Sequence, residues 1–579
     1  MRTTRSAVIG AVCAALALSF AACSSPSGGG STSAPPTSTA PSSSAPATGP
    51  YEGGEIKVRG CTPQNPLFGG MTQEVCGGYI LDYTSSQLVY YDNVKAMPNM
   101  DLAESITPNA DSTVFTVKLV QGRKFSDGTE VKAQNFISAW NYEAYGPNGF
   151  AQSFFLTPIA GFDAMQCGAD ADGNAVCDTK PPAATTLSGL KLIDDYNFTI
   201  TVASPTSNMI VRLGYPAFQP LPDSFFADIK ADPLKAADGQ LDAQGKIPVQ
   251  AGPYMVTDNT ATDITLAKNP NYTGPTPGHV DKVTFHFYDD SLTAAYNDVM
   301  ANNLDFIDVI PVDLMAGDAW INQLGKDRTV TIAGPTIQAI DYSPNDPQLK
   351  DINIRKAISE AIDRDTITSQ LFNGSRLPLR DWVPPFIDGY DPNGCGEACV
   401  YDEAKAKADY AKTPGYKGTL QLSVNAGASH ELWAQAVCNN LNTVLGIDCQ
   451  VNIVPKFATL LDQVAKGELK GLFRAGWAMD YPSMENYLAP IYGTGAQSNG
   501  SKYSNPAFDA KLVEAAAAPD LASANKLYRE AINMLAQDLP SVPMWYYNSC
   551  AAWSNRVTNV IVTPMGYADL TQIQVLPGK

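Results

Sequence analysis

The chain has 579 residues, with 58 Asp and Glu against 39 Lys and Arg, for a formal net charge of −19. Such acidity argues against a nucleic-acid partner, because a phosphate backbone calls for a basic patch. About 530 residues follow the first fifty, too many for one core, so two or three domains are expected.

Residues 1–22 read as a signal peptide: Arg2 and Arg5 form the charged start, and a mostly apolar run from Ala7 to Phe20 ends in small residues. The run is too short for a membrane span. Ala21-Ala22-Cys23 resembles a bacterial lipobox, with Phe20 where leucine is usual, which implies a diacylated Cys23 at the mature N-terminus. Losing two arginines and no acids takes the mature charge to about −21. Residues 24–50 hold only Ser, Gly, Thr, Ala and Pro, a composition unable to bury enough apolar surface to fold. As a flexible coil residues 24–50 span roughly 28 Å r.m.s., and the lipidated cysteine with its linker is expected to take 23–53.

Beyond it, strand-like and helix-like periods alternate, the mark of an α/β chain. In Thr113–Leu119 the apolar residues 115, 117 and 119 face one way, and Asp127-Gly128 signals a hairpin turn. A helix is predicted from Ala133 through Trp140. Another carries Ile354, Ala357, Ile358, Ala361 and Ile362 on one face behind an Asp351 cap, with Arg355 and Arg364 expected on its surface as ion-pair partners. Ser429 is expected to cap a helix carrying Trp433, Ala436, Val437, Leu441, Val444 and Leu445, closed by Gly446. Strand-like Cys449–Val454 follows.

Setting aside Cys13 and Cys23, eight of the nine other cysteines fall in sequence-close pairs: Cys61 with Cys76, Cys167 with Cys177, Cys395 with Cys399, and Cys438 with Cys449. The pattern suits an oxidising compartment. Connectivity cannot be deduced from sequence, and local bridges are the simplest proposal. Cys550 is left as an odd, buried thiol. No metal or cofactor is expected, because Cys395 and Cys399 have no histidine nearby and the chain has three in all. His286 fits a strand face, His279 a Pro/Gly turn and His430 a helix start.

Residues 471–487 place a cation, Arg474, a flat aromatic, Trp477, and an anion, Asp480, within seven residues of a turn-rich segment. That set suits a ligand charged at both ends, and a free peptide is such a ligand. A purely structural alternative has Asp480 capping a turn before Pro482, Arg474 solvated on a strand and Trp477 in the core.

This stretch resembles the ligand-site signature of the periplasmic oligopeptide- and dipeptide-binding proteins, the solute-binding subunits of peptide ABC importers in extracellular solute-binding protein family 5. Ordered blocks extend the resemblance over residues 54–579. They are Leu102–Trp140, Gly252-Pro-Tyr254 with Asn269–Tyr272, Asp351–Arg364, Tyr503–Asp509 and Leu539–Met544. Asn135 stands where an aspartate is usual. The resemblance implies an α/β, two-lobed periplasmic-binding-protein fold of type II, in its large three-domain variant with a hinged cleft. Lobe I would take 54–89, 206–335 and 541–579, an inserted domain II 90–205, and lobe III 336–540. It also implies that Asp480 holds a peptide α-ammonium and Arg474 a terminal carboxylate. Gly476 would admit a peptide backbone, and Trp477 and Tyr481 complete the expected ligand contacts. Implied partners are a peptide, an ABC permease with its ATPase, and the outer face of the cell membrane through the lipid anchor; the protein would act as a monomer.

Relatives on the same scaffold take nickel chelates, haem, oligosaccharides or opines. A neutral sugar would leave Arg474 and Asp480 no charges to meet. A secreted hydrolase is the enzyme alternative, but Gly427-Ala-Ser-His-Glu431 lacks the second glycine of a nucleophile elbow, so no catalysis is expected.

Overall fold

Two strands far apart in sequence, Thr329–Tyr342 and Ser541–Trp553, pair antiparallel and form the spine of an eleven-stranded sheet. The computed structural model describes residues 51–579 apart from 64, 66, 73–74, 95, 151, 169–175, 232–248, 289–290, 427–429 and 497. The signal peptide, Cys23, the linker through residue 50, the Ser429 cap and most of the Gly427–Glu431 segment lie outside the described residues.

On one side of the spine come Leu472–Ala478, Leu420–Asn425 and Cys449–Val454. On the other come Phe306–Ile307, Glu55–Gly60, Lys282–Phe287, Asp263–Lys268 and Tyr254–Asn259, and the short Arg376–Pro378, the eleventh strand, pairs with Trp545–Tyr547 of the spine. The register of the spine shifts between Ala333 and Ile337. Gly334 and Pro335 account for the shift. A Cβ at 334 would lie 2.8 Å from both Ser549 Oγ and the Tyr547 carbonyl, and Pro335 has no N–H to give the ladder.

A separate four-stranded antiparallel sheet runs Ala103–Pro108, Val114–Leu119, Asn197–Thr201, Leu190–Asp194. Val114–Leu119 buries Phe115, Val117 and Leu119, as its alternation predicts. The expected turn follows, with Gly128 at φ +88° donating its N–H to the Phe125 carbonyl. The helix Ala133–Ala144 packs Phe136 and Trp140 against Phe198. Asn135 accepts the Lys132 N–H at 2.8 Å and so serves the helix start.

Asp351 caps the helix Ile352–Glu360 as expected, accepting the Asn353 N–H. The expectation for its arginines is corrected. The helix breaks, and a second one, Arg364–Phe372, begins four residues on. Arg364 is 1 % exposed and donates to the carbonyls of Ser359, Ile362 and Pro543 and to Ser359 Oγ, not to a carboxylate. A broken helix leaves carbonyls unpaired, and a five-donor guanidinium satisfies them. Burial lowers its pKa to about 10. Arg355 donates to the Leu349 and Asp538 carbonyls and lies 5.1 Å over the Tyr342 ring.

The helix His430–Leu445 closes at Gly446, φ +68°, and Cys438–Cys449 joins it to the strand Cys449–Val454. The other three local bridges also form, and Cys550 is a buried free thiol. His286 pairs with Asp263, His279 with Glu52, and buried His430 accepts from Trp433 Nε1. Among the described residues no helix is long and apolar enough to cross a membrane, and no group of three or more His, Cys, Asp or Glu is placed to hold a metal.

Candidate ligand site

The segment expected to be turn-rich opens on a bend at Gly471, runs as the strand Leu472–Ala478, and bends again at 480–482 before a helix starts at Met484. Alternation puts Arg474, Gly476 and Ala478 on one face and Ala475 and Trp477 on the other. Its parallel ladder with Leu420–Asn425 ends at Phe473, whereas pairing with Thr336–Tyr342 continues to Ala478. Among the described residues, 474–478 are therefore strand-paired along one edge only. Gly476 is required by that pairing, since a Cβ there would sit 2.9 Å from the Ile337 carbonyl.

Asp480 lies just past the strand, on the wall of a cavity of about 280 Å³ that Tyr83, Tyr90, Tyr91, Tyr215 and Tyr567 also line. Its Oδ2 accepts from Asn486 Nδ2 at 3.0 Å, and its N–H donates to Asn486 Oδ1 at 2.9 Å. The same Oδ1 accepts Trp477 Nε1–H at 3.0 Å. Asn486 sits in the first turn of the helix Met484–Tyr492, capped by Ser483. Trp477 thus reaches Asp480 through Asn486, its half-buried ring packed against a core cluster that includes Ile337 and Met479. Burial raises the Asp480 pKa, opposed by the Asn486 hydrogen bond and the Arg212 charge and helped by Glu485.

Tyr481 is buried and does not line the cavity. Its hydroxyl donates to Glu485 Oε2 at 2.5 Å, and the Arg212 guanidinium lies 4.7 Å over its ring. Arg212 also pairs with Glu485 at 3.0 Å, and Asn208 donates to Glu485 at 2.8 Å. This buried set underpins the turn that carries Asp480.

Arg474 belongs to a different corner. Its guanidinium lies 4.7 Å over Phe457, and its Nε is buried with no hydrogen-bond partner among the described residues. Arg376 stacks on Phe372 and Tyr547 at 3.8 and 4.5 Å. Burial lowers the pKa of both arginines. His430, pushed down to about 4 by burial and by the charges of Arg474 and Arg376, stays neutral beside them. Asp480 and Trp477 are therefore brought together, while Arg474 stands apart on the same strand. Asn486 was not legible as a site residue: it is uncharged, and only its place in a first helical turn marks it.

The model of the bacterial extracellular solute-binding proteins, family 5 (middle), matches residues 98–499. The chain belongs to this family. Among similar proteins, the periplasmic oligopeptide-binding protein OppA of Salmonella typhimurium is 26% identical over 79% of this chain and 80% of its own length. The murein tripeptide-binding protein MppA of Escherichia coli superposes with a TM-score of 0.70 at 19% identity, covering 91% of this chain and 99% of that one. AppA of Bacillus subtilis, solved in complex with a nonapeptide, gives 0.69 at 19% identity over 91% and 100%. The fold is the two-lobed type II α/β architecture of these binding proteins.

Proposed function

We propose that this protein captures peptides outside the cytoplasm and delivers them to the permease and ATPase of an ABC importer. The observation that carries this reading is Asp480, a carboxylate fixed by Asn486 on a cavity wall, next to a strand edge that no other strand covers among the described residues. Asp480 receives the α-ammonium, since a charge taken out of water needs a partner. The edge of residues 474–478 takes the peptide backbone as an added strand, which gives affinity without sequence preference. Arg474, whose buried Nε has no hydrogen-bond partner among the described residues, meets the terminal carboxylate of a peptide long enough to reach it.

Lobe I (54–89, 206–335, 541–579), domain II (90–205) and lobe III (336–540) move as bodies about the two spine strands, with Gly334-Pro335 at the flexing point. Cys23 holds the protein to the membrane. The names of OppA and of the AppA complex support a peptide ligand. Calorimetry with a pool of free-ended peptides, against neutral oligosaccharides, nickel chelates and haem, tests the ligand class. Saturable heat with peptides is expected, and heat from one of the others alone overturns the reading.

A further inference from the structure

Four carboxylates, Asp82, Asp92, Asp480 and Asp569, line the cavity, and among the described residues no Lys, Arg or His does. Three of them are engaged. Asp92 accepts the N–H groups of Val94 and Met97, Asp569 accepts from Asn93 and Thr571, and Asp480 is held by Asn486. Asp82 has no hydrogen-bond or ion-pair partner among the described residues. Its side chain is exposed and lines the cavity, and the protein around the cavity pushes its carboxyl pKa up.

Two further features make this corner hospitable to a cation. Asp82 occupies the last turn of the helix Val75–Thr84, which holds no basic residue, so the carbonyl end of the helix adds to the negative potential. Five tyrosines line the same cavity, and aromatic rings are compatible with a cationic side chain. Asp82 and Asp480 come from segments far apart in the chain, yet both act on the same two phenols, Tyr91 and Tyr215. Tyr83 also feels Asp82.

We propose that Asp82 anchors a subsite for a cationic side chain, the lysine or arginine of a peptide whose α-ammonium occupies Asp480. The proposal rests on the peptide reading above and makes the protein selective for basic peptides. A carboxylate with no partner among the described residues gains little from a neutral side chain and more from a cation.

The test uses the mature protein and libraries of free-ended pentapeptides with one position fixed as lysine or as norleucine, its uncharged near-isostere, scanned through all positions at pH 8. Wild type should favour lysine at one position by about two- to fivefold, the scale of a solvent-exposed ion pair. Asp82→Asn should remove that preference and leave the norleucine affinity within about twofold. Equal binding of the two series by wild type, a comparison that needs no variant, would overturn the subsite and leave the peptide reading standing. Retained lysine preference in a folded Asp82→Asn protein would do the same. Failure of every library to bind would overturn the peptide reading, and the subsite with it.

Discussion

Asn486 grips Asp480 at two points, donating to its carboxylate at 3.0 Å and accepting its backbone N–H at 2.9 Å. The side chain is thereby aimed from the bend after the strand toward the cavity. Replacing Asn486 with Ala frees the carboxylate and removes one partner of a charge-assisted hydrogen bond, a contribution of roughly 1.5–3 kcal/mol. Affinity for a free-ended peptide, read by calorimetry, should fall by about tenfold to a hundredfold. Trp477→Phe, which loses only the indole donor to Asn486, should cost less. Equal affinities for wild type and Asn486→Ala would mean that Asp480 needs no such hold.

Buried Asp341, 4 % exposed, has its pKa raised to about 7 by burial. An unfolded aspartate titrates near pH 3.9, about three units lower. The folded state keeps this proton when the unfolded chain has lost it, so the stability it contributes is whole below about pH 4 and drains away as pH rises toward 7. Asp341→Asn should therefore be neutral near pH 4 and stabilising at pH 8, by about 4 kcal/mol at most. Thermal melts of both proteins across that range check it; a difference that does not grow with pH contradicts it.

Arg212 and Glu485 tie the short helix Met209–Arg212 to the helix Met484–Tyr492 beneath Tyr481, with side chains 15% and 13% exposed. Arg212→Met leaves a buried carboxylate without its cation, which typically costs about 3–5 kcal/mol. Adding Glu485→Gln should return most of that loss, because the stranded charge is gone. Urea unfolding of the two variants measures both steps, and a double variant as weak as the single would contradict the pairing.

The Cys438–Cys449 bridge closes a separation of 11 residues between a helix and its neighbouring strand. Replacing both cysteines with Ala should cost about 2–3 kcal/mol in denaturant unfolding. With all four bridges intact and Cys23 acylated, denatured, unreduced mature protein should take up one alkylating label, at Cys550. A second labelled site would show a missing bridge.

Much of the fold was legible because local periodicity and local covalent geometry carry it. Phe115, Val117 and Leu119 announce their strand by alternation, Asp351 announces its helix by capping, and close cysteine pairs announce their bridges. Arg364 was misread because the apolar face of its helix runs through Ile358 and Ile362 without a mark of the break, so a buried guanidinium looked like a surface one. Asp480 and Trp477 stood out by type and spacing. Their link through Asn486, and the cavity that Asp82 shares with Asp480, depend on segments from remote parts of the chain meeting in space, which no local pattern encodes.

The role of Asp480 is tested most directly by a two-by-two calorimetric cycle: wild type and Asp480→Ala, each with one basic peptide carrying a free or an acetylated N-terminus. Acetylation removes the ligand's charge and the substitution removes the protein's, so each alone should cost roughly 3–5 kcal/mol, on the order of a hundredfold to several thousandfold in affinity. Combined, they should cost far less than the sum, as coupled partners do. Equal affinity of wild type for the free and the acetylated peptide would contradict the account.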